Sequence, residues 1–266
     1  MSLSGKTVSF HTLGCKLNFA ESSTISRDLQ AAGMSVVDLK TGADVVIINT
    51  CSVTQQADTE CRSVVRKALR ANPESFVVVT GCYAQLRPSE IAAMEGVDLV
   101  VGAGEKLHLR QFLTDLQKNR EAIVHACEIQ DVDSYEAAYS LGDRTRAFLK
   151  VQDGCDYACT YCTIPMARGV SRSARLEQVV NQAQHLVKQG VQEVVLTGVN
   201  IGDYGKGEFG NKRHEHRFID LLHQLDTVEG LDRIRISSIE PNLLRDEVID
   251  FKSDSQRFVP HFHIPL

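Results

Sequence analysis

Short β-branched runs alternate with longer amphipathic ones from residue 6 onward, and this alternation restricts the fold more than any other feature of the 266-residue chain. The runs are KTVSFHTL, ADVVIINT, SFVVVTG and VDLVVGAGE. Between them lie a helical pattern from Asn18 to Ala32 and another from Thr54 to Ala71, and KLHLRQFLTDLQ follows as a further helix. Such an order is the βαβ signature of an open parallel sheet, because a parallel partner needs a crossover long enough to return the chain to the starting edge. Pro73 stops the second helix. The fold class is therefore α/β, with an N-terminal three-layer α/β domain over residues 1–120.

Periodicity lapses over the polar stretch 121–143, which reads as a linker, and a second alternation occupies 144–266. There RAFLKV is a strand, LEQVVNQAQHLVKQG a helix ended by Gly190, EVVLTG a strand, FIDLLHQLD a helix and RIRISS a strand. HFHIPL reads as a fourth strand, and a chain seldom stops inside one, so a truncated sequence is expected. With 43% apolar and 24% charged residues the chain can build one large or two medium cores. No signal sequence or membrane-length apolar run is read in it, which places it in the cytoplasm with no membrane partner. Its 29 basic and 34 acidic residues leave a net charge of −5, so any nucleic-acid contact must be local.

Eight cysteines in a cytosolic chain point to metal or redox chemistry before disulfides. Three of them, Cys155, Cys159 and Cys162, share the loop VQDGCDYACTYCTIPMARG that follows a predicted strand. Structural zinc commonly takes two separated CxxC pairs, and no second pair is present. A four-iron cluster on three cysteines keeps one iron open for a ligand. The bland reading, a buried cysteine with two incidental neighbours, fits a Gly-flanked loop poorly. Cys15, Cys51 and Cys82 each follow a predicted strand of the first domain, and the carboxyl ends of parallel strands share one edge. They could hold a second cluster there, or they could be small buried residues at strand ends. Cys61 and Cys127 read as structural.

CDYACTYC resembles the motif of the radical S-adenosylmethionine superfamily, and with HTLGCKLN, NTCSVTQQAD and VVTGCYAQ it resembles the methylthiotransferases of that superfamily. The resemblance spans nearly the whole chain. It implies two 4Fe-4S clusters, an auxiliary one on Cys15, Cys51 and Cys82 and a radical one on Cys155, Cys159 and Cys162, with S-adenosyl-L-methionine chelated at the latter. It further implies that residues 144–266 are a partial (β/α) radical barrel, incomplete here, and that a C-terminal RNA-binding domain is absent. Tyr161 would lie near the adenine of the cofactor, Thr197, Gly198 and Asn200 would replace the usual Gly-Gly-Glu-like turn, and Ser237 and Ser238 would touch ribose or carboxylate.

HTLGCKLN and NTCSVT resemble the branch acting on N6-threonylcarbamoyladenosine at adenosine 37 of the tRNA anticodon loop, with an electron donor such as flavodoxin or ferredoxin. The isopentenyladenosine branch, the ribosomal-protein aspartate branch and a non-catalytic iron–sulfur or electron-transfer fragment remain alternatives. The carbon attacked, adenine C2, has no hydrogen that a protein base can remove, which is why a radical is required. Arg168, Arg172 and Arg175 beside the radical cysteines are expected tRNA contacts, whereas Arg62, Arg66 and Arg70 at steps of four read first as a solvated helix face.

Overall fold

The computed structural model describes residues 3–51, 55–118, 121–132, 134–142, 146–211 and 213–264, and for residues 55–58 the backbone alone. Two compact units emerge, one of Met1–Val132 with Thr160–Arg168, the other of Asp133–Cys159 with Gly169–Leu266.

The first unit is built on a wholly parallel sheet. Strands β1 (Thr7–Thr12), β2 (Ser35–Val36), β3 (Val45–Thr50), β4 (Phe76–Gly81), β5 (Leu99–Val101) and β6 (Ile123–His125) lie in the order β2-β1-β3-β4-β5-β6. Alternate residues serve opposite faces, as the two-residue period demands. Val46, Ile48, Val77, Val79 and Val100 join one core with Cys61, Val64, Val65 and Ala68 of α2 (Gln55–Ala71). Val45, Ile47, Phe76, Val78, Leu99 and Val101 join the other with Ile25 and Leu29 of α1 (Lys16–Ala31). Two short helices follow β4, α3 (Cys82–Leu86) and α4 (Pro88–Ala92).

Three local readings change. KLHLRQF forms a 3-10 stretch over Lys106–Phe112, broken at His108, instead of an α-helix. Ser35–Val36 adds a strand at the β1 edge. Ile123–His125, inside the stretch read as linker, pairs with Leu99–Val101 as the far edge of the sheet. The expected helix start at Thr54 lies outside the described residues, as do residues 143–145 at the linker's end.

The second unit holds a three-stranded parallel sheet in the order β11-β10-β7, with β7 at Ala147–Lys150, β10 at Glu193–Thr197 and β11 at Arg233–Ile236. Sequential parallel strands with α6 (Leu176–Lys188), α7 (Phe218–Asp226) and α8 (Asp246–Asp254) as connectors are an opened stretch of β/α barrel. The expected fourth strand is reduced to isolated parallel bridges, Ile234 to Phe258 and Ser238 to His263, and Pro265 and Leu266 lie outside the described residues. A two-stranded antiparallel hairpin, β8 (Gln152–Asp153) with β9 (Arg172–Ser173), brackets the cysteine loop and α5 (Ile164–Arg168). Among the described residues no helix is long and apolar enough to cross a membrane.

Candidate metal centres

In the first unit Cys15, Cys51 and Cys82 stand at the carboxyl ends of β1, β3 and β4, three neighbouring strands. Cys15 is the N-cap of α1, Cys51 follows β3 directly, and Cys82 opens α3. Cys15 is exposed, Cys51 half-buried and Cys82 buried. Gly14, at φ +103°, has to be glycine: a Cβ there would stand 2.7 Å from Cys51 Cβ, so the loops carrying Cys15 and Cys51 touch only because that atom is missing.

Asn18 pins both loops. Its Nδ2 donates to Leu13 O and Thr50 O, each at 2.9 Å, and Cys15 Sγ lies 3.6 Å from its Oδ1. One turn on, the fully buried Glu21 accepts from Lys106 Nζ at 2.6 Å and from Arg168 Nη1 at 3.0 Å, while Arg168 Nη2 reaches Asn18 Oδ1 at 2.7 Å. An isolated buried carboxylate would be neutralised or expelled, and the two cations make its charge tenable. Burial pushes the Cys82 thiol up, against the pull of Arg168 and Lys106 and with the push of Cys15 and Glu21. A metal taking up this sulfur must therefore displace its proton. Cys61 packs in the core facing α2, and Cys127 O accepts from Gln85 Nε2 at 2.9 Å, both apart from the strand-end cysteines.

The cysteine loop leaves the β8–β9 pair in the second unit, to which Cys155 and Cys159 belong, whereas Cys162 lies in the Thr160–Arg168 stretch assigned to the first. Cys155 N donates to Gly169 O at 3.0 Å, and Gly154, at φ +70°, comes so close to Val170 that a Cβ would lie 2.0 Å from its carbonyl oxygen. Asp156 accepts from Ser171 N at 2.8 Å and from Lys206 Nζ at 2.6 Å. Burial alone would raise the Asp156 carboxyl, but these two donors outweigh it and hold it below the ordinary carboxylate range. Lys150 and Asp153 form a buried ion pair of 2.7 Å just before the loop. Gln152 organises the junction: Nε2 donates to Gly154 O and Ser171 Oγ, and Oε1 accepts from Asn200 N at 2.9 Å. Sequence reasoning passed over Gln152, Glu21 and Asn18; the signal on offer was a polar residue within six positions of a cluster cysteine, inside an otherwise apolar period.

The expected cofactor contacts divide. Thr197 is buried with its hydroxyl on Val195 O, and Gly198 lies against Gln152. Asn200 and Ser237 are buried at the carboxyl ends of β10 and β11, and among the described residues neither amide atom of Asn200 nor the Ser237 hydroxyl has a hydrogen-bond partner. Orphaned buried polar atoms are rare in folded proteins, so their grouping at two adjacent strand ends fits a polar ligand such as S-adenosylmethionine. Ser238 Oγ is 2.9 Å from His263 Nδ1, and Tyr161 is 88% exposed. Among the described residues no three His, Cys, Asp or Glu side chains gather closely enough for a single metal ion.

Of the three arginines expected to contact tRNA, two are withdrawn from the surface. Arg168 is 2% exposed and committed to Glu21 and Asn18, and Arg172 is 3% exposed within β9, so neither is offered to a phosphate. Arg175 is exposed and pairs with Glu208 at 2.9 Å. On α2, Arg66 and Arg70 are exposed and Arg62 half-buried, the solvated face expected of them.

Residues 7–102 match the family described as "Uncharacterized protein family UPF0004", and residues 149–266 match the "Radical SAM superfamily". The chain is 44% identical to the threonylcarbamoyladenosine tRNA methylthiotransferase MtaB of Bacillus subtilis, an alignment covering 98% of this chain and 57% of that protein. It is 38% identical to the MtaB of Aquifex aeolicus, covering 97% and 62%. The chain thus spans about three-fifths of the length of these relatives. Among solved structures, the radical S-adenosylmethionine methyltransferase TsrM from Kitasatospora setae shares the fold, with a TM-score of 0.66 at 16% identity over 98% of this chain and 59% of that one.

Proposed function

We propose, from the match of residues 7–102 and 149–266 to those two family models and the 44% identity to a threonylcarbamoyladenosine tRNA methylthiotransferase, that the protein this chain represents is a radical S-adenosylmethionine methylthiotransferase that converts N6-threonylcarbamoyladenosine at adenosine 37 of the tRNA anticodon loop to its 2-methylthio derivative. Cys15, Cys51 and Cys82 hold an auxiliary 4Fe-4S cluster in this reading, and Cys155, Cys159 and Cys162 hold the radical cluster. The observation that carries it is the placement of three dispersed cysteines at the ends of three adjacent parallel strands, in a chain 44% identical to a protein of that name.

When bound, the clusters and S-adenosylmethionine supply the one-electron bond cleavage and the sulfur, with a flavodoxin or ferredoxin as electron source. The chain's own residues do the positioning. Asn18 and Gly14 set the Cys15 and Cys51 loops against each other, Gly154 and Asp156 fix the path of the cysteine loop, and Asn200 and Ser237 offer the cofactor hydrogen-bonding groups that the fold itself does not use. The functional division falls in the polar stretch after His125, with the auxiliary-cluster domain before it and the radical core after it.

Anaerobic reconstitution with iron and sulfide tests the ligand sets: about eight irons per chain are expected, and about four in either Cys51→Ala or Cys155→Ala. In tRNA from a strain lacking the gene, nucleoside mass spectrometry is expected to show 2-methylthio-N6-threonylcarbamoyladenosine lost. Its persistence would refute the substrate.

A further inference from the structure

The stretch from Tyr204 to Arg217, between the end of β10 and α7, is pinned to the backbone that leaves the cysteine loop. Gly205 N donates to Ser173 Oγ at 3.0 Å, Ser173 N to Gly207 O at 2.9 Å, and Tyr135 N to Glu208 O at 2.8 Å. Asn211 N to Lys206 O and Glu215 N to Gly205 O close the loop on itself, at 2.6 and 2.7 Å. Lys206 joins it to Asp156, the neighbour of Cys155, and Gly210 sits against Ser171 and Val170.

Between these anchors Phe209 is 64% exposed, and Val170, against which the next residue Gly210 sits, is 50% exposed. Burying a phenylalanine side chain is worth roughly 1.5–3 kcal/mol, and a loop fastened this closely forgoes that gain. A lone exposed apolar side chain is unremarkable on most surfaces. This one is held on a fixed backbone at the carboxyl-end side of the parallel strands, where ligands of β/α folds bind. Arg213 and His216 of the same loop are also exposed, in a chain whose net charge is −5. An exposed aromatic ring with an exposed arginine four residues on in the same loop suits single-stranded RNA, whose unstacked bases lie on aromatic rings while phosphates take arginine.

We propose that Phe209 is a stacking platform for an unpaired base of the RNA substrate next to the target nucleoside, with Arg213 on an adjoining phosphate. The proposal rests on the tRNA reading above. Because the chain contains no tryptophan, Phe209→Trp installs a single indole reporter at the site. Titration with an anticodon stem-loop RNA should quench its emission saturably, and a fully paired RNA duplex of equal length should not. Phe209→Ala should weaken binding of the labelled stem-loop, read by anisotropy, about tenfold or more, with Phe209→Tyr close to wild type. If Phe209→Ala binds like wild type, or the indole is indifferent to bound stem-loop or quenched equally by duplex, the platform is refuted and the tRNA reading stands. Full-length protein that binds no stem-loop at all overturns both.

Discussion

Glu21 is the residue on which the cysteine-bearing edge of the first unit turns, and its only mark in the sequence is a place six positions after Cys15. It has no exposed surface and is shared by Lys106 and Arg168. Glu21→Gln removes the carboxylate common to both cations while preserving shape, and the loss should be about 3–5 kcal/mol, the usual result of breaking a buried ion pair. Urea unfolding of the cluster-free chain measures it; a change under about 1 kcal/mol would show that the pair is dispensable. The same pair shows why arginine proximity misleads. Arg168 lies six residues after Cys162 and so invites a substrate role, yet its carboxylate partner is 147 positions away. Distance along a loop gives no direction for a side chain.

Among the elements, those with a strong period were legible and those held by tertiary contact were not. Val45–Thr50 and Phe76–Gly81, apolar on both faces, declare themselves as central strands. Ile123–His125 is three residues long in polar surroundings, and its pairing comes from the free edge of β5. The β8–β9 hairpin, two residues a side, has no period to read at all. Its importance is nonetheless high, because it sets the entrance and exit of the cysteine loop. Gly154→Ala places a methyl group into the Val170 carbonyl at a backbone conformation that alanine resists. The reconstituted variant should lose the irons of that loop and keep those of Cys15, Cys51 and Cys82. Iron retained in full would mean that the loop has another way to close.

At the scale of the molecule, stability should carry the mark of one lysine. Lys252 is 3% exposed, donates to His261 O and lies 3.5 Å from the Phe262 ring centroid. Burial, helped by Arg235, pushes its ammonium down to about 8 from 10.5. Below the lower value both folded and unfolded chains are protonated and the penalty is constant. Between the two the unfolded chain holds more protons, so stability rises with pH by this contribution and levels off above the upper value. Urea unfolding at about pH 7.5 and about pH 9.5 should show wild type gaining on Lys252→Met as pH rises; a gain in the other direction would reverse the assignment. The order of strands at the cluster edge has a consequence of its own. Cys15, Cys51 and Cys82 leave three successive strands, so the sheet works as a ruler with graduations of about 4.8 Å, and the outermost pair is anchored about two graduations apart. Such a scale leaves room for a body of several atoms. Insertions elsewhere in the crossovers leave the scale untouched, whereas a register slip in β3 would shift its middle mark by a full residue.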